Sequence, residues 1–527
     1  MERHFNTGTT MATASEKLAQ SLEMLKALQE QGHIAIHSSL LGRLHRERLL
    51  KSGFIKEVMK GWYIPARPDE TAGESTAWYA SFWHFCAEYL NSRFKAAWNL
   101  SPEDSVKLHA ENRTVPRQLI VRSPKAKNYI THLIHDTSLL EIKAVLARKE
   151  NIVIHQDGLR LFALPIALVQ CSESFYRQYP ADARTALAMI RDASEVLNPL
   201  LEGGHSTIAG RLAGAFRNIG RRQIADEILN TMRIAGYTVR EADPFNAPSH
   251  VIISSRERSP YINRIRFMWQ SMREPVIEFF PPAPGLPKDI KGYMRQISDK
   301  FVLDAYNSLS IEGYRVSPAL IERVRTGKWN PEEDEEDRNH RNAMAARGYW
   351  QAYQVVQKSI KDILKGIDAG RVADRDHSTW YREMFAPSIT AGILKAQDLA
   401  GYRNGPVYIR HSMHVTPNHE AVRDVMPVFF ELLSDETNPA VRSVLGHFIF
   451  VYIHPYFDGN GRIGRFLMNA MLASGGYPWT IVPMEKRTTY MAALEQASVE
   501  QNIEPFARFL AGLVKDSLTG KGPSLPK

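Results

Sequence analysis

The chain has 527 residues, enough for about three domains at roughly 100–200 residues each. Hydrophobic residues make up 44% and charged residues 23%, which excludes a disordered polyelectrolyte. The two cysteines, Cys86 and Cys171, exclude a disulfide scaffold or a four-cysteine zinc site and fit a reducing cytoplasm. A net charge of +9 permits contact with polyanions, but spread over this length it points to no particular patch.

In chain order, the first dozen residues read as a loose tail without the apolar core of a signal peptide. Residues 14–31 carry Leu18, Leu22, Leu25 and Leu28 at helical spacing and stop at Gly32. Two short helices are predicted over 38–45 and 46–51, followed by a hairpin over 54–65 that turns at Lys60-Gly61. Helices followed by a small basic hairpin predict a winged helix-turn-helix-like module over 1–68. Arg43, Arg46, Arg48 and Lys60 are its candidate contacts to DNA phosphates.

Residues 69–277 read as an α+β middle region. Strands are predicted over 118–122, 151–155 and 159–162, and helices over 138–148, 181–197, 204–219 and 222–235. The most apolar run, residues 162–171, is too short for the about 20 residues that cross a bilayer, so no membrane partner is expected. The glycine-rich segment 203–220 lacks the Lys-Ser/Thr pair of a phosphate loop and reads as small-residue helix packing. Four prolines within 278–288 (EFFPPAPGLPK) mark a linker. Beyond it, 289–527 reads as mainly helical. The acidic run 332–337 reads as a solvated helix start.

The chemistry concentrates in residues 454–465, HPYFDGNGRIGR, between two apolar helical runs at 440–453 and 462–474. Pro455 forces the first helix to end, which leaves His454 at its terminus. Gly459 and Gly461 allow close approach of a ligand to backbone N–H groups at the start of the second helix, an anion site. Asn460 adds a side-chain donor. Arg462 and Arg465, three apart, share a helix face and offer forked donors to phosphate oxygens. Asp458 is a hard oxygen ligand suited to magnesium. His454, with a pKa near neutrality, suits a general base on a hydroxyl.

This stretch resembles the signature of the Fic family, His-Pro-Phe-x-Asp/Glu-Gly-Asn-Gly-Arg-x-x-Arg, with Tyr456 where Phe is usual. The resemblance implies an all-helical Fic core over 289–527 with a small β-hairpin flap. It implies transfer of AMP from ATP to a Tyr, Ser or Thr hydroxyl of a protein, or of the chain itself. His454 would deprotonate the target and Asp458 would bind magnesium. Gly459, Asn460, Gly461 and Arg462 would hold the phosphates, and Arg465 the γ-phosphate region. The segment GYRNGPVYIRH, residues 401–411, resembles the Fic flap, in which Gly405, Val407, Tyr408 and Ile409 would align a target by strand addition.

Residues 307–314, NSLSIEGY, place Ser308 and Glu312 four apart on one helix face with Gly313 ending the helix. This is similar to the inhibitory signature of Fic proteins, which implies an inhibitory helix within 289–313 whose Glu312 competes with phosphate for Arg465. Two alternatives stay open. Glu312 could serve AMP removal. The chain could also be a DNA-binding regulator with a secondary Fic domain, since residues 33–65 resemble the winged-helix regulators of AbiE-type toxin–antitoxin systems. The target's identity and the oligomeric state are not written in the sequence.

Overall fold

The computed structural model describes residues 13–70, 74–246, 259–330 and 340–525. The expected tail and the acidic run 332–337 lie outside the described residues. Among the described residues the fold is mainly helical with three small sheets, in two compact units. The first comprises the chain up to Leu108, Arg113–Cys171 and Tyr408–Val415; the second holds the remainder.

In the first unit, α1 (Ala14–Glu30) starts at a capping box: Thr13 N donates to Glu16 Oε2 (2.7 Å) and Glu16 N to Thr13 Oγ1 (3.2 Å). After β1 (Ile36–His37) the two expected short helices are one, α2 (Arg43–Lys51), preceded by a turn. Nothing at His45 or Arg46 interrupts it, and Arg46 N bonds Gly42 O at 3.0 Å. Then come β2 (Ile55–Met59) and β3 (Trp62–Pro65), giving an antiparallel sheet in the order β1-β3-β2. Both faces of this sheet are covered, so Trp62, Tyr63 and Ile64 are all buried in succession. Tyr63 packs with Leu25, Leu28 and Leu49. Trp62 and Ile64 join Trp78, Phe82 and Phe85 of α3 (Thr76–Phe94).

The second sheet follows: β4 (Asn99–Leu100), α4 (Pro102–His109), β5 (Gln118–Ser123), β6 (Tyr129–His132) and β7 (Ser138–Lys143), in the order β4-β5-β7-β6 with β5 and β7 parallel. The expected helix over 138–148 is therefore wrong. The segment SLLEIK alternates in burial, and Leu139 and Glu141 point inward, where Arg93 Nη2 meets the carboxylate at 2.8 Å. A hairpin, β8 (Ile152–Ile154) and β9 (Arg160–Phe162), and α5 (Leu164–Gln170) close the unit. Residues 408–415 are built into this core: Met413 and Val415 pack on the aromatic cluster, and Val115 N donates to Met413 O at 2.9 Å.

The second unit begins with α6 (Glu173–Gln178) and α7 (Pro180–Met189). The helix expected over 181–197 breaks before α8 (Ser194–Glu202), because Asp192 accepts from Ser194 N at 2.8 Å and turns the chain. Helices α9 (Ser206–Asn218) and α10 (Arg222–Ile234) match expectation. Gly210 and Gly214 on α9 lie directly against the Arg240 and Ala242 carbonyls, where any Cβ would collide. After α11 (Pro260–Phe279), the proline-rich segment is bonded to the core: Tyr477 Oη donates to Pro281 O at 2.6 Å and Gly285 N to Gly475 O at 3.0 Å.

The site-bearing helices are α12 (Ile290–Asp299), α13 (Phe301–Ile311), α14 (Pro318–Thr326), α15 (His340–Leu364), α16 (Ala369–Thr390), α17 (His419–Asp435), α18 (Pro439–Ile453) and α19 (Asn460–Ala473), followed by α20 (Arg487–Val499) and α21 (Glu504–Leu518). Helices α18 and α19 are buried along most of their length. Among the described residues no helix is long and apolar enough to cross a membrane.

Candidate active site

Helix α18 starts at Asn438, whose Oδ1 accepts from Ala440 N (2.9 Å), and runs as an apolar helix to His454. Pro455 cannot continue it, and His454 adopts a left-handed conformation (φ 53°, ψ 61°). Its Nδ1 lies 3.2 Å from Val451 O, a carbonyl that can only accept. The proton therefore sits on Nδ1, and Nε2 keeps a free lone pair. Burial lowers the imidazole pKa to about 4, the Val451 bond opposing and the Arg403 cation assisting. His454 keeps a partly exposed edge. At neutral pH the ring is unprotonated, as a base requires.

The turn after His454 is held by its own backbone. Tyr456 N donates to Asn460 Oδ1 (2.9 Å) and Asn460 Nδ2 donates to Tyr456 O (2.8 Å). The Asn460 amide thus fixes the loop. Tyr456 packs through its ring, stacked on Tyr381 with centroids 3.9 Å apart. Its hydroxyl is buried with no protein partner among the described residues. Gly459 sits at φ 81° as the residue before α19, and a Cβ there would come within 2.8 Å of Phe385.

Asp458 projects to solvent, accepting from Gly459 N (2.6 Å) and Arg462 Nη2 (3.1 Å). Arg462 is buried between the rings of Tyr314 (5.2 Å) and Phe385 (5.0 Å). Arg465, one turn on, donates Nε to Ser308 Oγ (2.9 Å), and Nη2 to Ser308 O (3.0 Å) and Glu312 Oε1 (2.7 Å). Burial works against the Arg465 charge, but Glu312 outweighs it and raises the pKa above its usual value. The same Glu312 oxygen covers Gly461 so closely that a side chain there would collide with it. Its carboxylate therefore stands at the N-terminus of α19, where backbone N–H groups favour an anion.

Glu312 follows α13 directly, and Gly313 (φ 86°) turns the chain away, as the spacing predicted. The helix is pinned from outside: Arg487 Nε donates to Ile311 O (2.8 Å) and Met484 N to Asn307 Oδ1 (2.8 Å). One turn before Ser308, burial raises the Asp304 pKa to about 6 although Tyr349 Oη (2.6 Å) and Trp479 Nε1 (3.1 Å) donate to it.

The expected flap is reduced to a single antiparallel bridge, Tyr408 with Val415. Gly405 and Val407 fall in the second unit, Gly405 beside Phe457; Tyr408 and Ile409 fall in the first. In the first unit Arg43 pairs with Glu47 (2.7 Å), Arg46 donates to Ser38 O (3.3 Å) and Arg48 to Lys17 O (3.4 Å), while Lys60 is exposed at the hairpin turn. Tyr314, Phe385, Asp304 and Arg403 are site residues that the motif did not reveal. Arg403 and Tyr314 stand inside segments already singled out, GYRNGPVYIRH and NSLSIEGY, and Asp304 falls within the 289–313 stretch.

An imidazole at the end of α18, a carboxylate at the start of α19 and two buried guanidinium groups are thus gathered around one turn of a helical core. Residues 377–472 match the Fic/DOC family. The chain is 36% identical over 121 residues to proteins named protein adenylyltransferase Fic from Drosophila willistoni and Drosophila virilis, covering 22% of this chain and 24% of theirs. It thus spans about a quarter of the length of those curated relatives. Among solved structures, a Fic-1 fragment from C. elegans aligns at 18% identity and TM-score 0.37 over 65% of this chain and 96% of that one. A Fic-domain signalling protein from Bacteroides thetaiotaomicron aligns at 20% identity and TM-score 0.33 over 51% and 99%.

Proposed function

We propose that the chain is an autoinhibited protein adenylyltransferase that moves AMP from ATP to a Tyr, Ser or Thr hydroxyl of a protein target or of itself. The observation that carries this is the Glu312 carboxylate bonded to Arg465 at the N-terminus of α19, an anion already standing where a phosphate would. His454 Nε2 takes the proton of the target hydroxyl. The oxygen then attacks the α-phosphorus, and pyrophosphate leaves. Backbone N–H groups at Gly459–Gly461 and the Arg462 guanidinium hold the phosphates in line, and Arg465 takes the terminal one once Glu312 has moved. Asp458, with its exposed carboxylate, fits a single-carboxylate magnesium site shared with phosphates and water; the ion would supply charge neutralisation.

The test is AMP transfer from labelled ATP with magnesium, read by mass spectrometry. Glu312→Gly is expected to raise it, and adding His454→Ala to abolish it. A silent Glu312→Gly chain refutes autoinhibited transfer. Release of AMP from a modified target by the unaltered chain would instead assign Glu312 to the reverse reaction.

A second activity is favoured by the first unit. The reading is supported by a helix followed by a hairpin in a β1-β3-β2 sheet, with Arg43 and Lys60 exposed, an arrangement similar to a winged helix. Affinity for duplex DNA that falls steeply with salt, and less steeply in Lys60→Ala, supports it; negligible binding at low salt removes it.

A further inference from the structure

We propose that Arg403 is a positioning residue for the transfer reaction, joining the backbone that carries His454 to the base of the target-docking segment through one buried guanidinium. The inference rests on the adenylyltransferase reading above and concerns a residue outside the 454–465 loop.

Arg403 is fully buried. Its Nε donates to His454 O at 2.8 Å and its Nη2 to Ile453 O at 3.5 Å. These carbonyls end α18, where helical geometry leaves acceptors without intrahelical donors and where the helix dipole favours a cation. Its backbone N donates to Pro455 O at 2.9 Å. On the other side Nη1 donates to Gly405 O (3.0 Å), and Nη2 to Thr416 Oγ1 (3.4 Å) and Pro417 O. Thr416 Oγ1 in turn donates to Val407 O at 2.8 Å. A continuous path of hydrogen bonds thus runs from the His454 carbonyl to both arms of the docking segment.

Two features make this more than a packing contact. His454 holds a left-handed backbone, which is strained for a residue with a Cβ and persists only where its surroundings impose it. Arg403 bonds the carbonyls at and before that residue. The distance between the imidazole and an incoming hydroxyl also depends on two segments some fifty positions apart in sequence, and this guanidinium fixes one against the other. Lysine keeps the charge but cannot reproduce a fork directed at several acceptors. The phosphate-facing groups Gly461, Arg462 and Arg465 are not bonded to Arg403, so nucleotide affinity and transfer should separate.

The experiment uses the full chain in the Glu312→Gly background, with ATP affinity by calorimetry and AMP transfer to the chain itself by mass spectrometry. Arg403→Lys and Arg403→Gln are expected to leave the ATP dissociation constant within about two-fold while slowing transfer by roughly 100-fold, the scale of a 1 Å misplacement. Thr416→Val, a milder break in the same path, is expected to slow transfer by about ten-fold at unchanged ATP affinity. It decides the matter if the Arg403 variants do not fold. Transfer within three-fold of background in folded variants, or parallel loss of ATP binding and transfer, overturns the inference and leaves the adenylyltransferase reading standing. Absence of transfer in Glu312→Gly alone overturns that reading and this inference with it.

Discussion

Glu312 Oε1 lies 2.7 Å from Arg465 Nη2, and Ser308 on the preceding turn accepts from the same guanidinium at 2.9 Å. Three hydrogen bonds from two nitrogens of one arginine are directed at one short helix-end segment. Under the autoinhibited reading proposed above, inhibition would have two separable parts, with Glu312 supplying the competing charge and Ser308 holding the helix against Arg465. Ser308→Ala removes one hydrogen bond to a charged group, worth about 1.5–3 kcal/mol, and leaves the carboxylate in place. AMP transfer is expected to rise above the unaltered chain but to stay below Glu312→Gly, measured side by side with labelled ATP. Equal activity in the two variants would mean that the charge has no part of its own.

The pH dependence follows from the His454 environment. Burial holds its pKa down at about 4, so the folded chain binds this proton only well below the usual imidazole range. Base competence is present above that value and lost as pH falls through it. In the Glu312→Gly chain, kcat/KM for ATP-dependent transfer is expected to stay flat from pH 8 down to about 5.5 and to fall only below that, since this ratio reports the free enzyme. A fall centred near 6.5 would place the base elsewhere or the ring in water. The same lowered pKa contributes stability that is complete above about 6.5 and disappears as pH drops toward 4.

Tyr456 departs from the motif by one hydroxyl, and that hydroxyl is buried without a protein partner among the described residues. The ring does the structural work by stacking on Tyr381. Tyr456→Phe removes a desolvated polar group and keeps the stack. It is expected to raise unfolding free energy by about 1 kcal/mol, read by denaturant titration, with transfer in the Glu312→Gly background unchanged. Destabilisation would show that the hydroxyl has a partner in solution.

These predictions divide along a line that the sequence already draws. The 454–465 loop was legible because its groups lie in one contiguous stretch and act on each other: Asn460 bonds Tyr456, and Arg462 bonds Asp458. Glu312 was legible because a four-residue spacing and a terminal glycine carry helix geometry with them. Arg403 was not, since all but one of its side-chain acceptors are backbone carbonyls, the two at the end of α18 about fifty positions away, and a carbonyl has no signature. The strand at Ser138–Lys143 was misread for a related reason. Leu139, Leu140 and Ile142 suit either periodicity, and the parallel partner that decides between them, β5, is remote in sequence. The docking segment looked like a hairpin from its alternation, yet residues 408–415 spend their apolar groups on the core of the first unit.

Gly461 offers the most direct check on what the N-terminus of α19 is for. A Cβ at this position would overlap the Glu312 carboxylate and come within 3.2 Å of Arg465 Nη1. If the glycine served only to admit the inhibitory carboxylate, Gly461→Ala would expel Glu312 and activate the chain. If it serves a phosphate, the methyl blocks both occupants. The backbone at Gly461 belongs to the first turn of a helix, so alanine fits it without strain and the steric effect is isolated. Gly461→Ala is therefore expected to remain inactive in AMP transfer, to weaken ATP binding by at least about ten-fold, and to lower transfer equally in the Glu312→Gly background. Activation by the single substitution would show that the space over Gly461 belongs to the carboxylate alone and that ATP takes another path past Arg465.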